Sequence, residues 1–373
     1  MNINSYLTKY KNVPFSELEF NELDSLILSE LSYMNLGMYA PSYGENDFIK
    51  LSSLRIRNPK EFSYGSVDWK NNLKMVELMK SGKRFNHIQV GLCKEKTIEG
   101  DDNTKQFFAV TFILPDETLY LAFRGTDITL NGWKEDFHMT FMDTIPSQDD
   151  ALKYTLGVLN KVDGRFYLAG HSKGGNLAFY AALNLNDKEL EERLIAAYSF
   201  DGPGFKNGLK EFPSYQGVKH KLVKYMTNRD WVGMVYNNFK KDAIIVTATG
   251  ILLGGHDPFS WQVNVRKQKF VRGRRTKAYL NSEEAFNKWL KSISENDKML
   301  ACDIFFDLLN DAKTVYDLPK ALTNIVFHGK EYLEPYSEEE KERVLAIVKK
   351  LVKQFIEINF NIKKKPKRIA ERA

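Results

Sequence analysis

Cysteine is scarce in this sequence, and long apolar runs are missing. The 373 residues include two cysteines, Cys93 and Cys302, which lie far apart and match no Cys-x-x-Cys or zinc-binding spacing. We therefore expect two reduced thiols, and neither a disulfide nor a zinc site. No segment reaches the roughly 18 apolar residues of a membrane-spanning helix, and residues 1–10 lack the basic and apolar parts of a signal peptide. Together these absences predict a cytoplasmic protein.

The chain is only moderately basic, and much of the excess charge lies in two segments. Hydrophobic residues make up 43% and charged residues 27% of the sequence, which is typical of a globular protein of one or two domains. The net charge of +6 arises largely in residues 266–277 and 363–372. Neither segment is interleaved with aromatic residues at a spacing that binds nucleic acid, so we expect no nucleic-acid partner. Residues 363–372 form either a solvated tail or a segment attracted to anionic lipid.

Residues 166–178 carry the strongest catalytic signal. Four mostly apolar residues lead into Gly-x-Ser-x-Gly at positions 170–174, after which the pattern becomes helical. This order predicts a strand, a very tight turn and a helix, with Ser172 at the apex in a strained conformation. Gly170 and Gly174 let the strand and helix approach, and the helix N-terminus directs free N–H groups toward the serine. Ser172 is the candidate nucleophile, and a plain glycine-rich turn is the alternative.

Apolar segments on both sides of this turn predict the fold class. They are residues 106–114, 118–123, 194–200, 222–226 and 243–247. The first two are expected to form a hairpin, and the others alternate with helical or loop segments. This alternation predicts an α/β protein with a mostly parallel central sheet and helices on both faces. Ligands bind at the carboxyl ends of the strands in such sheets.

A second motif, Leu-Ala-Phe-Arg-Gly-Thr-Asp at residues 121–127, follows a predicted strand. A strand that delivers Gly125 and Thr126 into a loop is suited to complete an oxyanion hole, in which the Thr126 N–H would face the Lys173 N–H. Arg124 at a buried strand end requires a carboxylate partner, and Asp136 is the candidate. An ordinary strand-to-loop junction with a surface arginine is the alternative.

Several motifs together resemble the class 3, or fungal-type, lipases, and more narrowly a bacterial branch of that family. They are residues 21–33, 121–127, 170–175 and 255–261, with Trp133 and Asp136. The resemblance covers about residues 20–262. It implies the α/β-hydrolase fold, an ester substrate of lipid or short-chain type, and a Ser-Asp-His triad, with neither a metal nor an organic cofactor.

The triad order Ser, Asp or Glu, His restricts the choice of base and acid. His256 is the candidate base, because it follows a strand and two glycines. His220 precedes the best acid candidate, and His328 lies beyond the hydrolase core. The resemblance favours Asp230 as the acid, because it stands before an apolar turn. Asp201, after the preceding strand, is either the acid or a residue that shapes the site.

Asp257 and Lys173 directly follow two candidate triad residues, His256 and Ser172. Asp257, next to His256, is expected to cap its loop. Lys173 replaces the apolar residue that the lipases commonly carry after the nucleophile. Its side chain suggests a polar or anionic acyl substrate, and it weakens the case for a triglyceride.

Residues 263–373 are predicted to be a helical extension of a hydrolase domain formed by residues 1–262. Ser337 and Glu340 form a capping box at the start of its last helix, which has one apolar face. The members of that face are Val344, Val348, Leu351, Phe355 and Ile358. The face packs on the core, meets a second copy, or rests on an anionic membrane surface next to the basic tail.

The sequence thus predicts a serine hydrolase that cleaves carboxylic esters through an acyl-enzyme intermediate. Its substrate would be a small acyl ester or a lipid. Two alternatives remain open at this point. A thioesterase or acyltransferase would use the same triad, and a non-catalytic binding protein would keep only the fold.

Overall fold

A central sheet of eight strands, in which strand order follows chain order, organises the molecule. The computed structural model describes residues 1–63, 66, 68–99, 104–239, 242–250, 253–309, 312–314 and 316–359, so the basic tail at residues 363–372 lies outside it. The strands are β1 Phe48–Lys50, β2 Gln89–Ile98, β3 Lys105–Ile113, β4 Leu119–Phe123, β5 Phe166–His171, β6 Leu194–Phe200, β7 Leu222–Thr227 and β8 Ile244–Val246. A separate ribbon pairs β9 Val263–Asn264 with β10 Lys269–Phe270.

The sheet changes direction at its middle. Strands β1 to β4 pair antiparallel, and β4 to β8 pair parallel. The helices are α1 Ile3–Tyr10, α2 Glu22–Leu31, α3 Pro59–Phe62, α4 Trp69–Ser81, α5 Leu130–His138, α6 Pro146–Leu159, α7 Lys173–Leu183, α8 Lys188–Arg193, α9 Tyr215–Val218, α10 Leu253–His256, α11 Lys277–Lys291, α12 Glu295–Leu308, α13 Leu318–Tyr332 and α14 Glu338–Asn359. The predicted α/β class, mostly parallel pairing and β3–β4 hairpin are confirmed.

Helices cover both faces of the sheet, because successive side chains of a strand point to opposite sides. In β4, Tyr120 and Ala122 pack in the core that α1, α2 and α4 close. Leu119, Leu121 and Phe123 pack in the core that α6 and α7 close. The strand is buried throughout, which explains why its sequence is a continuous apolar run.

Two helical predictions differ from the structure. The polar pattern of residues 184–193 predicts a helix over the whole segment, but the helix is confined to α8, because Asn186 has a positive φ of 49° and Asp187 caps the helix through its side chain. Helix α13 was not predicted. In α14, Ile347 is buried and Val344 and Leu351 are half-buried, whereas Val348 is 51% exposed and lies outside the packed face. The side chains of Phe355 and Ile358 are not among those that the structure describes.

The helical extension is joined to the rest of the chain by buried polar contacts. Glu283 of α11 accepts a hydrogen bond from Asn237 Nδ2 at 2.7 Å and, within the extension, one from Arg275 at 3.0 Å. Asn287 accepts from the Tyr236 N–H at 2.7 Å. Apolar residues beyond position 262 also enter the core under the sheet; they are Val263, Val265 and Phe270. The division at residue 262 stays a prediction.

Both cysteines are buried free thiols, as expected. Among the described helices, none combines the length and the apolar character needed to cross a membrane.

The N-terminal layer depends on a fully buried ion pair between Asp24 of α2 and Arg84. The guanidinium donates to Asp24 Oδ1 at 2.9 Å and also binds the carbonyl oxygens of Val13, Leu18 and Glu19. Both side chains have zero exposure. Removing one partner would leave an unpaired charge in the core.

We expect Arg84→Met to lower the free energy of unfolding by about 3–5 kcal/mol, because Asp24 loses its buried partner. Urea unfolding measured by circular dichroism gives this value. Lys288→Met is the matched control, since it breaks an exposed pair with Glu284 and should cost less than about 1 kcal/mol. Equal losses in the two variants would contradict the assignment.

Candidate active site

Ser172 lies in a strained turn between β5 and α7. Its φ of 58° and ψ of −133° place a non-glycine residue in the left-handed half of backbone space. The Ser172 N–H donates to the Phe200 carbonyl at 2.9 Å, and the Ser172 carbonyl accepts from the Gly175 N–H at 2.9 Å. The turn is therefore held on both sides by main-chain bonds.

The glycines around the serine leave no space for side chains. A Cβ at Gly170 would lie 2.3 Å from the Gly174 carbonyl carbon, and one at Gly174 would lie 2.0 Å from the Phe123 oxygen. Strand β5, helix α7 and the end of β4 cross here at backbone contact. The structure thus has the strand, turn and helix that the Gly-x-Ser-x-Gly spacing predicted.

The loop after β4 lies beside the serine. A Cβ at Gly125 would lie 2.6 Å from the His171 oxygen and 3.0 Å from Ser172 Cβ. Thr126 Oγ1 donates to Asp136 Oδ2 at 2.6 Å, which fixes the loop. Within the described residues, the N–H groups of Thr126 and Lys173 have no hydrogen-bond partner. Both remain available to bind an oxyanion.

Asp136 is the half-buried anchor of this loop. Burial raises the pKa of Asp136 to about 6, against the opposing charge of Lys173 and the hydrogen bond from Thr126. The Asp136 carboxyl group accepts its hydrogen bond from Thr126 and is not paired with Arg124.

The predicted ion pair between Arg124 and Asp136 is wrong. Arg124 binds Glu95 Oε1 at 2.7 Å and places its guanidinium 4.7 Å from the ring of Phe108. The reason is the strand pairing, because Glu95 on β2 lies directly opposite Phe108 on β3. The Arg124 N–H in turn donates to the Phe108 carbonyl at 3.0 Å. The carboxylate partner of Arg124 therefore comes from β2, which lies beyond β3 in the sheet, and not from helix α5.

The interpretation of the Lys173 side chain as a substrate contact is also wrong. Its ammonium group donates to Glu135 Oε2 at 2.8 Å and to the Gln106 carbonyl at 3.0 Å. The Lys173 side chain is 1% exposed, and that of Glu135 is not exposed. The lysine points into the core toward α5, so only its N–H can serve the reaction site.

His256, at the end of α10, faces two carboxyl groups. Its Nδ1 lies 3.1 Å from Asp201 Oδ2 and 3.4 Å from Asp230 Oδ2. Asp201 and Asp230 follow β6 and β7, whose parallel pairing brings their carboxyl ends together. Both acids are buried. The structure therefore brings together both aspartates that the sequence offered as alternatives.

The charges of these groups are strongly coupled. Burial alone would lower the pKa of His256, but the charges of Asp230 and Asp201 raise it to about 10. Burial also opposes ionisation of Asp230, yet the charge of His256 outweighs this and holds the pKa of Asp230 below its usual range. Burial and the charge of Asp230 raise the pKa of Asp201. Asp230 is therefore the more stable anion of the two.

The reacting atoms of the candidate nucleophile and base are not hydrogen-bonded to other described protein groups. Among the described residues, neither Ser172 Oγ nor His256 Nε2 takes part in a hydrogen bond. Ser172 is 9% exposed. Asp201, Asp230 and His256 also form a group whose ligand-type atoms all lie within 4.8 Å of one another, close enough to hold a metal ion.

His171, to which the sequence gave no role, binds the main chain of His256. Its Nε2 donates to the His256 carbonyl at 3.0 Å, and the two rings are 4.4 Å apart. Its Nδ1 lies 3.2 Å from the Tyr33 hydroxyl. Burial and the charge of His256 hold the pKa of His171 well below its usual range, so this imidazole is neutral. Sequence reasoning missed this contact, although Tyr33 ends the segment 21–33 that carries part of the resemblance.

Asp257 accepts a hydrogen bond from the Phe259 N–H at 3.0 Å and caps the following turn, as predicted.

The sheet, the serine turn and the acidic side chains at successive strand ends define an α/β-hydrolase fold. The family described as Mbeg1-like has a model that matches residues 79–307, more than half of the chain. The chain belongs to this Mbeg1-like family, a lipase-like family.

Solved structures of lipases are similar to the chain at low identity. M37 lipase is 18% identical with a TM-score of 0.38, over 60% of this chain and 73% of that one. The lipase of Rhizomucor miehei in its propeptide complex is 15% identical with a TM-score of 0.36, over 66% and 68% of the two chains. A comparison with curated proteins gives no match.

We expect Lys173→Met to lower the free energy of unfolding by about 3–5 kcal/mol, because it leaves Glu135 buried without its partner. The relative kcat/KM for neutral and anionic esters should stay unchanged, since the side chain does not face the site. Urea unfolding and paired ester assays measure the two effects, with the exposed Lys188→Met as control. Unchanged stability together with altered ester preference would contradict the buried placement.

Proposed function

We propose that this protein is a serine hydrolase that cleaves carboxylic esters. One observation carries the proposal: Ser172 stands in a strained strand-to-helix turn beside two N–H groups that have no hydrogen-bond partner in the described part of the chain. An imidazole held by buried carboxyl groups accompanies it. Nucleophile, oxyanion donors and base are the three parts that acyl transfer requires.

In the proposed reaction, His256 Nε2 takes the proton of Ser172 Oγ as this oxygen bonds to the ester carbonyl carbon. The tetrahedral oxyanion accepts hydrogen bonds from the N–H groups of Thr126 and Lys173. His256 Nε2–H then protonates the leaving alcohol as the carbon–oxygen bond breaks, which leaves an acyl group on Ser172. Water gives a proton to His256 Nε2 as its oxygen bonds to the acyl carbon. The bond between that carbon and Ser172 Oγ then breaks, and Oγ takes the proton back from His256, which releases the carboxylic acid and restores the serine.

Asp230 has the role of the triad acid in this proposal. It is the carboxyl group whose pKa is lowered, so it stays ionised while His256 changes charge. Its Oδ2 also accepts a hydrogen bond from the Gly233 N–H at 3.0 Å, which fixes its position. A buried anion held in this way stabilises the imidazolium and selects the tautomer with the proton on Nδ1.

The substrate class we propose is a neutral acyl ester, of lipid or short-chain type. The buried ion pair of Lys173 supports this choice, because the one cation next to the nucleophile in sequence is directed away from the site. Thioesters and acceptor alcohols would use the same groups. Competition assays between esters, thioesters and alcohols would therefore decide among hydrolysis, thioester cleavage and acyl transfer.

We expect Ser172→Ala to reduce hydrolysis of p-nitrophenyl esters by several orders of magnitude, on the order of 10³ or more. The variant loses the nucleophile and keeps the backbone donors, so only residual activity remains. Ser25→Ala is the control, since Ser25 is a buried serine that bonds Tyr120 in the N-terminal layer. Loss of less than about tenfold in Ser172→Ala would contradict the proposed nucleophile.

A peripheral contact with an anionic membrane surface is the finer part of the proposal. Leu345, Val348 and Val352 of α14 are each more than half exposed, at 52%, 51% and 54%. Their spacing of three and four residues places them on one stripe of the helix. Exposed Lys349 and Lys353 flank this stripe. Leucine and valine beside lysine suit the boundary between acyl chains and anionic headgroups.

We expect the full chain to sediment with phosphatidylserine-containing vesicles more than with pure phosphatidylcholine vesicles, and less at high salt. Val352→Glu should reduce this binding, because it places a carboxylate in the exposed stripe. Met38→Glu is the matched control, since Met38 is also exposed, at 58%, but lies elsewhere. Equal sedimentation of both variants would contradict the membrane contact.

A further inference from the structure

A triad needs one carboxyl group behind its histidine, and His256 has two. The nearer carboxyl group is that of Asp201, whose Oδ2 lies 3.1 Å from His256 Nδ1, within hydrogen-bond distance. Asp230 Oδ2 lies at 3.4 Å on the same nitrogen. The reaction proposed above uses Asp230 and leaves Asp201 without a task, although Asp201 is the closer partner.

The backbone holds Asp201 in place at an energetic cost. Its φ of 55° lies in the left-handed region, which non-glycine residues seldom adopt. Its N–H donates to the Tyr225 carbonyl at 2.8 Å, and its Oδ1 accepts from the Thr227 N–H at 3.3 Å. Strained residues of this kind cluster at functional sites. The conformation directs one carboxylate oxygen to the backbone and the other to His256.

Glycine leaves the space that this arrangement needs. A Cβ at Gly233 would lie 2.4 Å from Asp201 Oδ1, so a side chain there would displace the carboxylate. Gly233 also donates the N–H that fixes Asp230. One glycine thus permits both carboxyl groups to reach the same nitrogen.

Other charged and titratable groups face this cluster from the surrounding elements. They are Lys224 of β7, Arg275, Tyr279 and Glu283 at α11, Asp136 of α5, Glu30 of α2, His171 of β5, and Asp257. Lys224 donates to the Gly202 carbonyl at 2.6 Å and not to either aspartate. In the described part of the chain, only Asp201 and Asp230 form ion pairs with His256.

We propose that Asp201 is a second positioning carboxyl group, which shares the Nδ1–H of His256 with Asp230. This inference rests on the proposed hydrolase activity. Together the two groups fix the imidazole plane and stabilise the positive charge that forms when Ser172 gives up its proton. The base is stronger than one with a single carboxylate behind it.

The two aspartates, Asp201 and Asp230, should affect how kcat/KM depends on pH. The charges of Asp230 and Asp201 raise the pKa of His256 above its ordinary 6.5, so the unprotonated base is populated only at higher pH. Asp201→Asn keeps an amide oxygen that accepts the Nδ1–H and removes the ionisable group. Losing a negative neighbour lowers the pKa of His256, so the acid limb of kcat/KM must move to lower pH.

The experiment compares kcat/KM for one neutral p-nitrophenyl ester across pH in wild type, Asp201→Asn, Asp230→Asn and Asp257→Asn. For Asp201→Asn we expect an acid limb about one pH unit or more lower and a plateau within about tenfold of wild type. Asp230→Asn should lose far more on the plateau. Asp257→Asn is the matched control, because it removes a nearby carboxyl group that caps a turn and does not bond His256.

A parallel profile for Asp201→Asn, merely lowered at every pH, would show a structural role and overturn the proposal. An equal shift in Asp257→Asn would do the same, since it would assign the effect to the general field. A plateau loss for Asp201→Asn as large as that of Asp230→Asn would also contradict a shared role. Thermal unfolding verifies that each variant is folded.

A second measurement does not depend on turnover. The chain has six histidines, and NMR titration of labelled imidazole, with His256→Gln for assignment, gives the pKa of His256 directly. We expect a lower pKa in Asp201→Asn than in wild type, and an unchanged value would overturn the inference. If wild type cleaves no ester while the titration shows the expected shift, the proposed function fails and the carboxyl pair stands.

Discussion

The backbone contact between β5, α7 and the end of β4 is the constraint on which the rest of the site depends. At Gly170 and Gly174 these elements approach so closely that a single Cβ would collide with main-chain atoms. The close approach forces Ser172 into a left-handed turn, which raises its side chain at the edge of the sheet. The same approach brings the Gly125 loop beside the serine, so one contact fixes both the proposed nucleophile and the proposed oxyanion donors.

The parallel half of the sheet places the remaining groups. Strands β5, β6 and β7 end side by side, and the residues that follow them are Ser172, Asp201 and the segment leading to Asp230. His256 reaches both acids from α10, and His171 binds its carbonyl from the end of β5. Ser172, Asp201 and Asp230 thus come from distant parts of the sequence to one edge of the sheet, because neighbouring parallel strands end there.

The sequence predicted the features that depend on local spacing. The glycines of the serine turn, the β3–β4 hairpin and the Asp257 cap all follow from residues close together in the chain. The partner of Arg124 and the role of the Lys173 side chain were predicted incorrectly, because strand register and side-chain direction decide them. Glu95 lies on β2, two strands away from β4, and Glu135 faces Lys173 only after α5 packs on the core. Asp201 and Asp230 could not be separated by pattern, since each follows a strand and both reach His256.

The central claim is that Ser172 is an activated nucleophile, and chemical labelling of this one residue tests it most directly. The intact protein would be treated with a fluorophosphonate and digested with trypsin, which cleaves after Arg165 and Lys173. Tandem mass spectrometry of residues 166–173 then locates the adduct. We expect a phosphonyl group on Ser172 that forms rapidly in wild type and fails to form in His256→Ala. A folded protein whose Ser172 stays unmodified, or is modified equally fast without His256, would contradict it.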